Sequence, residues 1–445
     1  MDDTAWHQDP RLSNMGVTMT FTPSLWLTLA VLMGTSAALT SVSLKSTNGA
    51  LDPRGEVVHE WTTLEYDWPS DDVKADYIKR GWYEPNKSHL SGIDVYNDEV
   101  YVTALRMTPE VPSGLNKVVV KNGRSLLQPF PSLAANELGK CESLQSPFAS
   151  QTDPNTGLMY VLDVGRTWRG PPNPYAPCPP KLVVFDLKNQ GALVRKHEFL
   201  ESLVPKNVSI LNDLVLDYIT RKDQEVKYIY ITDIGSVQII VFDLETNSSW
   251  SFKHESMQTD EDRVMAINGV NYTQLGYPVD GIAIDPDFLS VYYCPIGGRK
   301  LFQIPTSVLR DPDGDFAGSV RLLGKKISNS DGLASGQSSI FYGALTLNAV
   351  YKWEHLKDRE DQKVAEGGVT LVTQTEIVQN VTTYSFVDSL KVDDKGYLWF
   401  TSNRAQLYFS DTMDFSGASG SNFRVCRVYV GEYSYLWKGP AAVVG

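Results

Sequence analysis

The hydrophobic positions of this chain repeat one pattern six times: an apolar strand rich in β-branched residues, a turn, and a second apolar or aromatic strand. Counted from the first residue of each leading strand, the copies begin at Ser91, Phe148, Asn212, Asp280, Asp331 and Asp388. They lie about 50 to 70 residues apart, at or above the usual length of a propeller blade. The pattern predicts an all-β fold, a six-bladed β-propeller whose four-stranded antiparallel blades surround a central channel.

A third apolar strand is expected in each copy. Candidate segments begin at Lys117, Lys181, Gln238, Lys300, Ala349 and Gln406. Polar turns such as Asp153-Pro154-Asn155 separate the first two strands of most copies, as a hairpin requires. Helical periodicity is scarce, and only residues 71–80 and 306–310 predict short helical turns.

The evenly spread repeats predict one propeller domain over residues 56–438, without an internal linker. A closed ring needs a strand from one terminus to complete the blade at the other, because an open sheet edge promotes aggregation. Residues 56–68 precede the first copy and residues 422–430 follow the last, so these two segments are the predicted partners. Residues 41–55 form a short segment before the domain, and residues 439–445 form a tail.

The first 40 residues carry features of a targeting signal. Residues 25–40 form an apolar run that is too short to span a membrane and ends in small residues, as a cleaved signal peptide does. Asp2 and Asp3 stand where a positive region is expected, and a start at Met15 or Met19 would remove that conflict. Five N-x-[ST] sequons, at Asn86, Asn207, Asn247, Asn271 and Asn380, agree with export. We therefore expect a secreted glycoprotein without a membrane anchor after cleavage.

Four cysteines permit three complete pairings in an oxidising compartment. Cys141 and Cys178 flank the second copy, and a bond between them would hold its long loop against the incoming strand. Cys294 and Cys426 would then join the fourth copy to the C-terminal strand. No CxxC pair occurs, so the spacing gives no support for a zinc site.

Charge and motifs exclude several classes of function. The net charge is −13 and the basic residues form no cluster, so a nucleic-acid partner is not expected. No GxGxxG or GKS/T motif is present to hold ATP or a dinucleotide. None of the six histidines lies in a hydrolase or metalloprotease motif. His89, just before the first copy, is a candidate proton-transfer group near the channel, or else a surface or capping residue.

The candidate chemistry lies where the six copies converge. The first residue of each innermost strand is expected to face the channel mouth, which places three carboxylates, an amide, a hydroxyl and an aromatic ring around one axis. Such a ring requires either a bound cation or a protonated carboxyl group. Ca²⁺ would satisfy it, as would an organic ammonium group beside aromatic walls from Phe148, Tyr342 or Phe400. The alternative is that the aspartates, two of them in Asp-Gly pairs, are ordinary turn residues.

An ordered series of segments resembles the major royal jelly protein and yellow protein family over about residues 56–430. It includes EVVHEWTTLEYDWPS, LSGIDVYNDEVYVTALR, GKCESLQSPFASQTD, CPPKLVVFDL, GIAIDPDFLSVYYCPIGGRKLFQIPT and LWFTSNRAQLYF. The resemblance implies a secreted six-bladed propeller. Members of that family include channel binders of biogenic amines, proteins implicated in dopachrome conversion, and nutrient or structural secretory proteins. Their binding residues lie on late blades, which implies a role for Asn403 and the turn after Phe341-Tyr342.

Three functions follow as hypotheses beside a purely structural or nutritive role. The first is binding of a small aromatic or cationic ligand of the biogenic amine type at the channel mouth. The second is a dopachrome-type isomerase, with Asp280 or Asp331 as the base and Asn403 or His89 as the proton donor. The third is a calcium-dependent lactonase-like hydrolase, with the metal on Asn212, Asp280 and Asp331. No cofactor is firmly implied, and Ca²⁺ at the mouth belongs to the third hypothesis.

Overall fold

The computed structural model describes residues 55–167 and 177–439. It contains six four-stranded antiparallel sheets, which confirms the predicted six-bladed β-propeller. The predicted signal peptide lies outside the described residues. No helix in the described ranges is long and apolar enough to cross a bilayer.

The first half of the chain supplies one outer strand and three complete blades. In order, the strands are β1 (Glu56–Trp61); β2 (His89–Tyr96), β3 (Glu99–Leu105), β4 (Leu115–Lys121) and β5 (Arg124–Pro129) in blade 1; β6 (Pro147–Thr152), β7 (Leu158–Asp163), β8 (Lys181–Asp186) and β9 (Ala192–Glu198) in blade 2; and β10 (Leu211–Asp217), β11 (Tyr228–Asp233), β12 (Gln238–Asp243) and β13 (Ser248–Phe252) in blade 3.

The second half begins with a short hairpin and then completes the ring. The hairpin is β14 (Met265–Ile267) with β15 (Val270–Tyr272); blade 4 is β16 (Val279–Ile284), β17 (Ser290–Pro295), β18 (Lys300–Pro305) and β19 (Arg321–Lys325); blade 5 is β20 (Leu333–Ser335), β21 (Ile340–Ala344), β22 (Ala349–Trp353) and β23 (Gln374–Gln379); and blade 6 is β24 (Val387–Val392), β25 (Tyr397–Ser402) and β26 (Phe423–Tyr429), with β1 outermost.

Five α-helical segments are described outside the blades. They are α1 (Asp71–Lys79), α2 (Thr306–Leu309), α3 (Phe316–Ser319), α4 (His355–Gln362) and α5 (Ala405–Phe409). The two predicted helical turns correspond to α1 and α2. The segment at Gln406 was predicted to be a third strand, and this prediction is wrong. Arg404 adopts a left-handed conformation with φ of 49°, which turns the chain out of β25 and into α5, so that β26 becomes the third strand of blade 6.

The ring closes between the two ends of the described chain, as predicted. β1 pairs antiparallel with β26, from Glu56 opposite Arg427 to Trp61 opposite Phe423. The indole nitrogen of Trp61 donates to the Ser125 carbonyl oxygen at 2.8 Å, which also ties this closing strand to blade 1. The six innermost strands, β2, β6, β10, β16, β20 and β24, contact one another in a closed cycle around the channel.

One disulfide is formed, and the second predicted one is not. Cys141 and Cys178 are bonded, with their Cα atoms 5.2 Å apart. Cys294 and Cys426 are both free and buried, so their predicted pairing is wrong. Cys294 on β17 packs among residues of blades 4 and 5, whereas Cys426 on β26 packs among residues of blades 5 and 6. Because blade 5 stands between the two thiols, they cannot approach to the short distance that a disulfide requires.

The far end of the channel is covered by a C-terminal segment, residues 430–438. The segment leaves blade 6, where the Ser434 amide donates to the Asp393 carbonyl oxygen at 2.9 Å. It reaches blade 3, where the Tyr435 hydroxyl accepts from the Leu216 amide at 2.9 Å. It then meets the first turn of blade 2, where the Asn155 side-chain amide donates to the Leu436 carbonyl oxygen at 2.9 Å. Tyr435 and Leu436 are buried, so the channel is closed at this end.

The closure makes a prediction about stability. Trp61→Ala removes a buried indole from the closing strand and should lower the free energy of unfolding by about 3–5 kcal/mol. Val57→Ala on the same strand is the matched control, because Val57 is 39% exposed and its loss should cost about 0.5 kcal/mol or less. Urea unfolding followed by tryptophan fluorescence measures both. Equal losses in the two variants would contradict the assigned closure.

Candidate ligand-binding site

A β-bulge recurs near the start of the innermost strands. The pairing register shifts there in β2, β6, β10, β16 and β24, between Leu90 and Ile93 in the first and at the matching position in the others. The bulges contain Ser91, Phe148, Asn212, Asp280 and Asp388. In blade 5 the matching Asp331 comes just before β20. A bulge redirects side chains out of the regular alternation, which aims these residues at the channel.

Threonine side chains hold three of these bulges in place. The Thr103 hydroxyl accepts from the Gly92 amide at 2.7 Å and donates to the Phe148 carbonyl oxygen of the next blade at 2.7 Å. Thr232 and Thr401 make the same donation to the carbonyl oxygens of Asp280 and Ser91, each at 2.7 Å. Each hydroxyl therefore fixes a bulge in its own blade and the mouth residue of the neighbouring blade.

The structure brings the six residues that begin the sequence copies into one cavity at the channel mouth. Its lining includes Ser91, Phe148, Asn212, Asp280, Asp331 and Asp388. A second space, deeper in the channel, shares all of them except Asp280 and adds Asp213 and Ser389. The residue numbers along each inner strand increase with depth, so each strand starts at the mouth and runs inward. Ligand binding by these residues remains a prediction.

The aromatic part of the lining differs from the one predicted. Phe148 does line the cavity, but Tyr342 and Phe400 lie on the second strands of blades 5 and 6 and pack between blades. The other aromatic residues of the lining are Tyr277, Phe386 and Phe409. Two of these come from outside the blades: Tyr277 follows the β14–β15 hairpin and Phe409 ends α5. The strand repeat contains no signal for such residues.

Asn403 lies behind the cavity instead of in its lining. It is fully buried, and its amide nitrogen donates to the Leu90 carbonyl oxygen at 2.8 Å and to Asp388 Oδ2. Its amide oxygen accepts from the Ala405 amide at 3.1 Å. Asp388 Oδ1 also accepts a hydrogen bond from Ser91 at 3.3 Å. Asn403 therefore orients Asp388 and begins α5, and the binding role that the resemblance implies for it stays a prediction.

Asp280, which is buried, and Asp331, which is partly buried, form a carboxyl pair. They lie within hydrogen-bonding reach of each other, which requires a shared proton. Burial raises the pKa of Asp280 to about 7. Burial, followed by repulsion from Asp280 and Asp388, holds the pKa of Asp331 well above its usual range. The Asn212 side chain also hydrogen-bonds to the Asp280 carboxyl group. Asp280 Oδ1 has no amide or hydroxyl donor of its own among the described residues, so this oxygen can accept one more hydrogen bond.

Two further carboxyl groups, Asp388 at the mouth and Asp213 deeper in the channel, add negative charge along the axis. Burial raises the pKa of Asp388 to about 6, and burial also raises the pKa of Asp213, although the charge of Lys391 opposes that second shift. Lys391 Nζ lies 3.7 Å from Asp213 Oδ1, beyond the acidic ring on the side of the closed end. The cation thus compensates the deeper carboxylate and leaves the mouth acidic.

His89 is a second polar group of the mouth, and it is fully buried. Its ring lies against Tyr408, Phe409 and Phe423, with centroids 4.5, 5.9 and 5.5 Å away. Burial lowers the pKa of this imidazole to about 3. The alternatives considered from sequence included a surface position, which this burial excludes.

No group of three or more His, Cys, Asp or Glu side chains within residues 55–167 and 177–439 is arranged to hold a metal ion. The oxygen donors of the mouth are of the type that Ca²⁺ prefers. Several of them already take part in the hydrogen bonds described above, between Asp280 and Asp331 and from Asn403 and Ser91 to Asp388. Calcium at the mouth stays a prediction.

Comparison with known sequences identifies the family. The sequence model described as "Major royal jelly protein" matches residues 145–433, well over half of the chain. The chain belongs to the major royal jelly protein family. The matched region spans blades 2 to 5 and the three inner strands of blade 6, and it contains all three mouth aspartates. Strand β1 and the blade 1 residues His89 and Ser91 precede it.

Relatives in the royal jelly and yellow groups agree with this assignment. Major royal jelly protein 2 of Apis mellifera is 27% identical over 92% of this chain and 89% of its own length. Protein yellow of Drosophila subobscura is 23% identical over 82% of this chain and 64% of its own length. Among solved structures, a luciferin-regenerating enzyme is 13% identical with a TM-score of 0.44, covering 78% of this chain and 93% of its own. At that level of similarity no function is transferred.

In this member of the major royal jelly protein family, the carboxyl groups of the mouth should make the free energy of unfolding fall as pH rises. A carboxyl group with a raised pKa binds its proton more tightly when folded, so its contribution to stability is complete below pH 4 and is lost as pH rises through the folded value. Asp331→Asn cannot ionise and should gain about 1–3 kcal/mol relative to the native protein between pH 5 and pH 8.

The measurement is urea unfolding of both proteins at the two pH values. The difference between them is used because buried His89 makes the native protein less stable at low pH and so opposes the trend. Asp287→Asn, at an exposed turn position, is the matched control and should follow the native profile. Parallel profiles for Asp331→Asn and the native protein would contradict the carboxyl pair.

Proposed function

We propose that this protein is exported and binds a small aromatic ammonium ligand of the biogenic amine type at the channel mouth. The observation that carries the proposal is the Asp280–Asp331 carboxyl pair with its unused acceptor oxygen, set among aromatic side chains. An ammonium group would replace the shared proton as the compensating charge. Phe148, Phe386 and Phe409 supply aromatic rings for cation–π and stacking contacts.

The size of the cavity determines the orientation of such a ligand. The cavity between the lining side chains has a free volume of about 50 Å³. This is room for a few waters, or for an ammonium head and the first methylene groups behind it. The head therefore enters first and reaches the acidic ring, while the aromatic ring of the ligand stays on the mouth side among the phenylalanines.

Export is the second part of the proposal. The apolar run at 25–40 has the form of a signal peptide. The five sequon asparagines, at Asn86, Asn207, Asn247, Asn271 and Asn380, are all exposed, so glycan attachment at each is sterically possible. Glycosylation remains a prediction, and mass spectrometry of the protein expressed in a secretory host measures it.

Calorimetry tests the binding function. The native protein is titrated with serotonin, dopamine, histamine and tyramine, and with an uncharged analogue in which a hydroxyl group replaces the amine. We expect the amines to bind at least tenfold more tightly than the analogue, and Asp280→Asn to remove that difference. Affinity for the amines should rise roughly tenfold from pH 5.5 to pH 8, because the carboxyl pair loses one of its protons, that of Asp280, over this range while the ligand remains a cation.

Asp287→Asn is the control and should bind like the native protein. The titration is repeated with added Ca²⁺ and with EDTA, because a calcium ion at the mouth would compete with the amine. The absence of heat with every amine in all three conditions would refute the proposal. A stronger affinity for the uncharged analogue would also refute it.

A second candidate is tautomerisation of an aminochrome such as dopachrome. Two features favour it: a carboxyl group whose pKa is close to neutrality, and a neutral imidazole in the same cavity. Tautomerisation needs a base to take a proton from ring carbon and a donor to protonate the quinone oxygen. Asp280 is suited to take the proton from ring carbon and to return it to the quinone oxygen. The neutral His89 ring donates a hydrogen bond to that oxygen and keeps its own proton, so the proton count of substrate and product is unchanged.

Loss of dopachrome absorbance measures this activity. The native protein should exceed Asp331→Ala and Asp280→Asn by roughly 100-fold, the usual size of a general-base effect. The rate should rise with pH around neutrality as the base loses its proton. A native rate no faster than that of Asp331→Ala would eliminate the isomerase and leave the binding function standing.

A further inference from the structure

His89 has hydrogen-bonding capacity that nothing in the described chain uses. Neither ring nitrogen has a hydrogen-bond partner among the described residues, although the side chain is fully buried. A buried polar group without a partner costs free energy comparable to a lost hydrogen bond. A histidine in a purely structural role would be expected to bond to a backbone or side-chain partner, as His59 does with Ser125 at 2.8 Å.

The protonation state of this imidazole allows it both to donate and to accept a hydrogen bond. Burial lowers the pKa of His89 to about 3, so the ring is neutral at physiological pH. A neutral imidazole has one N–H donor and one acceptor nitrogen. It cannot serve the ammonium group as a counter-ion, but it can donate to or accept from a hydroxyl group.

The position of His89 relative to the acidic ring is fixed by strand β2. His89 begins this strand, and Ser91, two residues further inward, donates to Asp388. Two residues of extended chain span roughly 6 Å. The cavity therefore has two polar levels: carboxyl groups inside, and an imidazole about one ring width nearer the mouth. Apolar side chains such as Leu105 and Phe148 lie in the same lining.

We infer that His89 is a specificity-determining residue that selects aromatic amines carrying a hydroxyl group on the ring. This inference rests on the proposed amine-binding function and narrows its ligand class. The ammonium group occupies the inner level and the aromatic ring points toward the mouth. A ring hydroxyl group there reaches the unpartnered imidazole, and a ring without one leaves the imidazole unpaired in the complex.

The discrimination should be large because the alternative is a buried, unpaired nitrogen. A site that hydrogen-bonds a ligand hydroxyl group rejects the analogue that lacks it more strongly than an apolar pocket rejects a missing methylene group. We expect the hydroxylated member of each ligand pair to bind about tenfold more tightly, which corresponds to about 1.4 kcal/mol.

Matched ligand pairs on the native protein provide the first test. Tyramine is compared with phenethylamine, and serotonin with tryptamine, since each pair differs by one ring hydroxyl group. Equal affinities within both pairs would overturn the inference without recourse to any variant. If neither member of either pair binds, the proposed function itself has failed, and that outcome is distinguishable because no amine gives heat at all.

The second test assigns the preference to the residue. His89→Phe retains a ring against Tyr408 and Phe409 but removes both nitrogens. It should abolish the hydroxyl preference while phenethylamine binds at least as tightly as before. His197→Phe is the control, because His197 lies on β9 of blade 2 and is not part of the lining; it should keep the preference. Thermal melts establish that both variants are folded. A hydroxyl preference that persists in folded His89→Phe would overturn the inference.

Discussion

The geometry of the channel mouth depends on three threonine hydrogen bonds, each of which joins one blade to the next. A threonine on the second strand of blades 1, 3 and 6 holds the bulge of its own inner strand and donates to the mouth residue of the next blade. The bulge turns the side chains of residues such as Ser91 and Asp280 inward, and the donated bond fixes the backbone that carries them. The backbone of the mouth is therefore tied between neighbouring blades at Phe148, Asp280 and Ser91. Loops and a helix complete it with Tyr277 and Phe409.

Backbone hydrogen bonds between blades hold three carboxyl groups close together around the mouth. A flexible mouth would separate Asp280, Asp331 and Asp388 and let water solvate each one. The fixed backbone instead forces a shared proton and leaves acceptor capacity unused. Carboxyl groups whose pKa values are raised by burial and mutual repulsion are typical of functional sites. A bound cation or a transferred proton removes that repulsion. Lys391 lies too deep to do so and pairs with Asp213 instead.

The sequence predicts the features that the strand repeat encodes. It does not predict the features that depend on loops, on helices or on packing between blades. The blade count, the closure of the ring and the convergence of the six first residues all follow from period and register. Tyr342 and Phe400 also stand in the repeat, but second-strand side chains at these positions face a neighbouring blade and not the axis. The Cys294–Cys426 pairing failed because spacing along the chain does not reveal that blade 5 stands between them. The unpartnered nitrogens of His89 depend on packing against α5, a helix in a segment whose apolar pattern predicts a strand.

The C-terminal segment gives the channel a single opening. Ser434 and Tyr435 lie across the axis and are bonded to opposite sides of the ring, so within the described residues they cover the channel at this face. In the described part of the chain, a bound ligand leaves through the same opening by which it enters. A channel that is open at one end is suited to binding a ligand and retaining it. The side chains around that opening then control both the association rate and the residence time of the ligand.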